Sequence, residues 1–109
     1  RPFARTLCAA AKAGQLRVLQ WLRERNCPRN SRTCEGAARY GHLKVLQWLK
    51  EEGCPWNKMT CAGAARGGHL ELLRWALENG CPYDQWDIEA ITDPDFHQWF
   101  DFFVMTLND

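Results

Sequence analysis

Six cysteines and three histidines are the residues of this 109-residue chain with the most chemistry to offer. Cys27, Cys54 and Cys81 recur at a constant step of 27 residues, each followed by proline, and Cys34 and Cys61 keep the same step. Cys8 stands outside both columns. Thiols of one column would be carried by stacked helices about 8 to 10 Å apart, beyond the roughly 7 Å between Cα atoms that a disulfide tolerates. Pairs across the columns, Cys27 with Cys34 and Cys54 with Cys61, are seven residues apart around one connector and stay within reach. There is no C-x-x-C, and a structural zinc needs four convergent ligands, so free thiols packed as small hydrophobes are expected. His42 and His69 follow glycine at a turn and suit capping or packing. His97 stands alone on what should be a polar face. No nucleophile or carboxylate recurs beside a histidine, and no phosphate-cradling loop, H-E-x-x-H or G-x-S-x-G is present. The expectation is a protein that is not an enzyme and uses no cofactor or metal.

The cysteine step belongs to the whole chain. The string T-x-x-[AG]-A-A-[KR]-x-G-[QH]-L-[RKE]-[VL]-L-[QR]-W starts at Thr6, Thr33 and Thr60, with Trp21, Trp48 and Trp75 in register and Gly14, Gly41 and Gly67 in register to within one position. A fixed period of this size marks a stack of units, none of which can bury its apolar face alone. Within a unit, Thr33 is expected to cap a first helix of about eight residues from Cys34 to Tyr40, with Thr6, Thr60 and Asp87 as its counterparts. The centre of that helix is small (Gly36-Ala37-Ala38). Gly41-His42 turns the chain into a second helix, Leu43 to Glu52, whose Leu43, Leu46 and Leu49 make one apolar face. Gly53, Gly80 and Asn26 are placed to close these helices in the left-handed region, and the proline two residues later prevents continuation. The result is an all-α chain of antiparallel helix pairs.

These residues resemble the ankyrin repeat: A-A-R-x-G-H-L-[KE]-[VL]-L-x-W-[LA]-x-E-x-G-C-P-[WY]-[ND] has that family's small pair, Gly-His turn, Val/Leu-rich second helix and Gly-x-x-x-[ND] exit. Two features depart from it. The family's Thr-Pro-Leu-His opening is Thr-Leu-Cys or Thr-Cys here, and a repeat of about 33 residues is cut to 27, which should remove the projecting β-hairpin finger. The resemblance implies a single domain over residues 1–109, an ankyrin-like helical solenoid with repeats at about 6–32, 33–59 and 60–86 and a divergent capping repeat at 87–109. It further implies a protein-protein interaction module. The positions after the small triplet would lie on its concave side, making Lys12, Arg39, Tyr40 and Arg66 the partner-binding candidates, flanked by Glu35 and Cys8. Arg29, Trp56 and Tyr83, joined by Trp86, form a further column after the prolines, in which Trp56 and Tyr83 are partner-binding candidates as well.

In the last unit Asp95 should cap a helix carrying Phe96, Trp99, Phe100, Phe103, Val104 and Leu107 on one stripe, with Phe102 also in the core because it shares the register of Trp75. Charge divides along the chain. Residues 1–50 hold eleven Lys or Arg against two acids, a balance of +9, and residues 51–109 hold three against eleven, a balance of −8. A basic end suits acidic partners, so the expected partner is a protein or an acidic peptide segment. The alternatives are an architectural segment of a longer ankyrin array and nucleic-acid binding through the basic half, which the acidic half opposes. A monomer is expected, with weak head-to-tail self-association as the variant the charge gradient would allow. No run is long and apolar enough for a membrane span. The start at Arg1 suggests a fragment, preceded by further repeats; a cytoplasmic location is expected, with a secreted or host-directed parent left open.

Overall fold

The structure, a computed structural model, describes residues 2–25 and 31–107, with side chains from residue 6 onward. Eight helices follow one another, with no strand among the described residues. They are α1 (Pro2–Lys12), α2 (Leu16–Glu24), α3 (Ser31–Arg39), α4 (Leu43–Glu51), α5 (Lys58–Arg66), α6 (Leu70–Glu78), α7 (Gln85–Glu89) and α8 (Pro94–Leu107). α1 packs against α2, α3 against α4 and α5 against α6, α7 and α8 follow as the last two helices of the series, and the molecule is elongated, 43 × 26 × 19 Å.

Glycine ends both helices of a unit by the same device. After α3, Gly41 takes φ +78 and donates to the Ala38 carbonyl, while His42 N–H reaches the Ala37 carbonyl at 2.9 Å. After α4, Gly53 takes φ +81, with Gly53 N–H on Lys50 and Cys54 N–H on Leu49. These are Schellman closures, in which the left-handed residue lets two orphan carbonyls of the last turn find donors. The turn glycines are Gly14, Gly41 and Gly68. Gly68 rather than Gly67 is thus the third member, and the period holds without slippage. Asn26 lies outside the described residues.

The helices start earlier than expected, and this moves the threonines. Asn57 caps α5, its side chain accepting from Met59 N–H at 2.9 Å. Thr33 and Thr60 therefore sit inside α3 and α5, facing inward with no exposure and no hydrogen-bond partner for either hydroxyl. They are core residues, not caps. Thr6 likewise lies within α1. Asp87 lies within α7, whose cap position is Asp84. Asp93, not Asp95, starts α8: its Oδ1 accepts from Asp95 N–H at 3.0 Å, and Pro94 takes the first helical position, where its missing N–H costs nothing.

One continuous core runs through all units. Leu19, Leu22, Leu46, Leu49 and Leu73 from the second helices are fully buried in it, each worth about 1.5 to 3 kcal/mol of transfer free energy. Close backbone approaches between units run through the first helices, α1 to α3, α3 to α5 and α5 to α7. The small triplet permits this. A Cβ on Gly36 would come within 3.0 Å of Lys12 Cγ, and one on Gly63 within 3.3 Å of Arg39 Cβ. Among the tryptophans, Trp75 is covered edge-on by Trp56 at 5.7 Å and Trp48 is half-buried, whereas Trp21 is 46% exposed under Arg25.

The last pair breaks the register. α7 stops at Glu89, four residues short of the position corresponding to Arg66, and α8 starts at Pro94, three residues before the position corresponding to Leu70. Phe96 and Phe100 are buried, and Trp99, Phe103 and Val104 pack beside them. Phe102 lies on the opposite face and is 66% exposed, as is Met105, while Leu107 at the helix end is also exposed. The period of Trp75 did not carry over to Phe102 because α8 is rotated by its early start.

Candidate interaction surface

On a helix, positions i, i+3 and i+7 share one face, and the first helices present theirs side by side. In α3 these are Arg32, Glu35 and Arg39, in α5 Met59, Ala62 and Arg66, in α7 Trp86 and Glu89, and in α1 Cys8 and Lys12. Three rows result. One edge is the basic row Lys12, Arg39 and Arg66, all exposed, beside Tyr40 at 52% exposure. The opposite edge carries exposed Arg32, Met59 and Trp86, and between them lie half-buried Cys8 and Glu35, buried Ala62 and exposed Glu89. Met59 and Trp86 were not anticipated as neighbours, although their spacing of 27 was the signal that would have joined them.

The basic row is not uniform. Arg66 Nη2 stands 3.6 Å from Asp87 Oδ1 and Lys58 Nζ 3.5 Å from Asp84 Oδ2, both tying α5 to the last unit. Exposed pairs of this kind contribute about 0 to 1 kcal/mol, but the first nevertheless offsets the Arg66 charge. Among the described residues no ion pair involves Lys12 or Arg39.

The histidines position this row. His42 Nε2 bonds to the carbonyl of Lys12 at 2.8 Å, and His69 Nε2 to that of Arg39 at 3.0 Å. Each ring stands on the turn glycine of the unit before, Gly14 or Gly41. Neither caps its own helix with its side chain; instead, each satisfies the last carbonyl of the neighbouring first helix. His97 is not alone on a polar face, since its Nε2 bonds to the Ile91 carbonyl and its ring meets Phe96 edge-on.

Trp56 and Tyr83 lie elsewhere. Trp56 packs on Trp75 with Lys50 Nζ 4.2 Å over its ring, and Tyr83 meets Phe100 edge-on at 5.7 Å. Both are half-buried against the second helices and are not brought to the basic row. Arg29 lies outside the described residues.

The described cysteines are free, as expected, but the thiols that meet are not the ones seven residues apart. In an antiparallel hairpin the start of the first helix faces the end of the second, so Cys34 hydrogen-bonds to Cys54 and Cys61 to Cys81. The Cys54–Cys61 pairing is thereby displaced, and Cys27 lies outside the described residues. The Cys34 thiol is pushed well above its usual range by its bond to Cys54 and then by burial, and Cys61 by its bond to Cys81 and burial. Cys81, which accepts that bond, is pulled down. All these thiols are free. Among the described residues no three His, Cys, Asp or Glu side chains converge as a metal site would need, and no helix is long and apolar enough to cross a membrane. In comparisons with protein-family models, curated proteins and solved structures, nothing matches this chain.

Proposed function

We propose that the chain is an ankyrin-like interaction module that holds an extended acidic segment of a partner protein along its first helices. The observation that carries this is the basic row: one cation in each of the first three units, with Lys12 and Arg39 in no ion pair among the described residues and their backbone carbonyls held by His42 and His69. The close approach of first helices, with no comparable approach among the second helices, favours a stack that curves toward the first-helix face. Such a face would be rigid before binding, which lowers the ordering cost of association. Tyr40 supplies an aromatic anchor beside Arg39, a residue pair enriched at interface hot spots.

The test uses fluorescence anisotropy with a labelled Asp/Glu-rich peptide. Reversing Lys12, Arg39 and Arg66 together to glutamate should weaken binding at least tenfold at low salt, from exposed pairs worth about 0.5 to 1 kcal/mol each. Lys44→Glu on α4 should leave it unchanged. Equal binding by the wild type and the triple variant removes the row from consideration. Binding of a DNA oligonucleotide more tightly than the peptide would transfer the basic half to nucleic acid.

A further inference from the structure

Twice along the chain a histidine ring closes the seam between neighbouring units. His42 stands on Gly14 with its Nε2 on the Lys12 carbonyl, and His69 stands on Gly41 with its Nε2 on the Arg39 carbonyl. At the third seam the glycine and the carbonyl are both present and the ring is not. Gly68 takes φ +75, matching Gly14 at +72 and Gly41 at +78. A Cβ on Gly14 or Gly41 would run into an imidazole at 2.6 Å, but one on Gly68 would meet nothing within 4 Å. The Arg66 carbonyl, third in the series after Lys12 and Arg39, receives no donor among the described residues.

The shortened α7 explains the gap. The residue one period after His69 is Phe96, which α8 carries into the core. Residues 90–93 then pass alongside the seam without filling it. They leave an open cleft of about 270 Å³, with Ala65, Gly67 and Gly68 on one wall and Ile91, Thr92 and Asp93 on the other. Asp93 occupies the sequence position that Lys12, Arg39 and Arg66 hold in the preceding units. Its Oδ1 accepts from Asp95 N–H, and the carboxylate gives this seam a negative group where the others have a cation.

We infer that the cleft between Gly68 and Asp93 is a binding site for a histidine side chain of a partner protein. The ring would lie on Gly68 as His69 lies on Gly41, donating one N–H to the Arg66 carbonyl and presenting the other to Asp93. A second copy of this chain cannot readily supply it, since His42, His69 and His97 are all bonded within their own molecule. The charged groups facing the cleft are Asp93 from the α7–α8 connector and Arg66 from α5, the latter offset by Asp87 of α7. His97 of α8 bonds to the Ile91 carbonyl in the same wall. Asp93 favours the doubly protonated ring, so binding should strengthen as pH falls through the ordinary imidazole pKa of about 6.5. The site stands apart from the acidic-segment proposal, because its probe carries no acidic group.

The experiment titrates isotope-labelled protein with N-acetylhistidine methylamide and follows backbone amide shifts by NMR. Saturable shifts centred on Gly67, Gly68 and Thr92, several-fold tighter at pH 6 than at pH 8, are expected. Asp93→Asn should remove the pH dependence, and Thr92→Trp, at an exposed position, should block the cleft while the remaining spectrum is kept. The inference is overturned by an absence of shifts at tens of millimolar probe or by equal binding of N-acetylarginine methylamide. It is also overturned by binding that survives Thr92→Trp, or by a pH dependence that survives Asp93→Asn.

Discussion

The imidazole of His69 lies so close to Gly41 that a Cβ there would stand 2.6 Å from its Nδ1, while its Nε2 reaches the Arg39 carbonyl at 3.0 Å. One ring thus joins two units through a shape match and a hydrogen bond. Gly53 shares the left-handed backbone, φ +81 against +78, but a Cβ on it would meet nothing. The two glycines separate backbone strain from collision.

Gly53→Ala should cost about 1 to 2 kcal/mol, the penalty of a left-handed alanine. Gly41→Ala should cost about 3 kcal/mol or more, because overpacking adds to that strain. In a His69→Ala background, which itself loses about 1 kcal/mol of hydrogen bonding, the Gly41→Ala cost should drop to the Gly53 level. Urea denaturation of the four proteins measures this cycle. Additive costs would mean that ring and glycine do not meet.

Alkaline pH should destabilise the chain through Cys34. Its folded pKa is raised above the ordinary thiol value of 9.0 by the bond to Cys54 and by burial. A raised pKa means that the folded state binds the proton longer than the unfolded state. The contribution is therefore fully present below about pH 9 and is lost progressively as pH rises above it. The urea midpoint of Cys34→Ala should start lower, because packing is lost, yet fall less steeply between about pH 8 and 10.5. Parallel slopes would detach the thiol from stability.

Phe96 and Phe102 give opposite outcomes on one helix. Phe96 is fully buried under the Arg74 guanidinium and stacked with Phe100, and Phe102 is 66% exposed. Phe96→Ala should cost about 3 to 5 kcal/mol. Phe102→Ala should stay within about 0.5 kcal/mol, as surface changes do. Thermal denaturation followed by circular dichroism compares them, and a large loss at Phe102 would mean that α8 is turned the other way.

The helix pairs were legible because their signals are local. Gly41 and Gly53, twelve residues apart, each end a helix by a backbone conformation other residues resist, and the leucine spacing sets the buried face between them. The basic row was legible for the same reason, since Lys12, Arg39 and Arg66 share one position in a repeating frame. The threonines misled because Thr33 and Thr60 satisfy the local rule for a cap, while Asn57 satisfies it three residues earlier at α5 and the packing of small first helices takes the threonine inward. Local preference cannot rank two eligible caps when burial decides between them.

Periodicity in the chain by itself determined the first three helix pairs and the glycines that close their helices, because turn chemistry and apolar spacing act over a few residues. Only tertiary structure decided which thiols meet, where Phe102 points, that His42 and His69 serve the preceding unit, and that the third seam stays open. Those outcomes depend on the antiparallel return within each pair and on the early start of α8. They are relations between segments 20 to 30 residues apart, which exist only once the helices have packed.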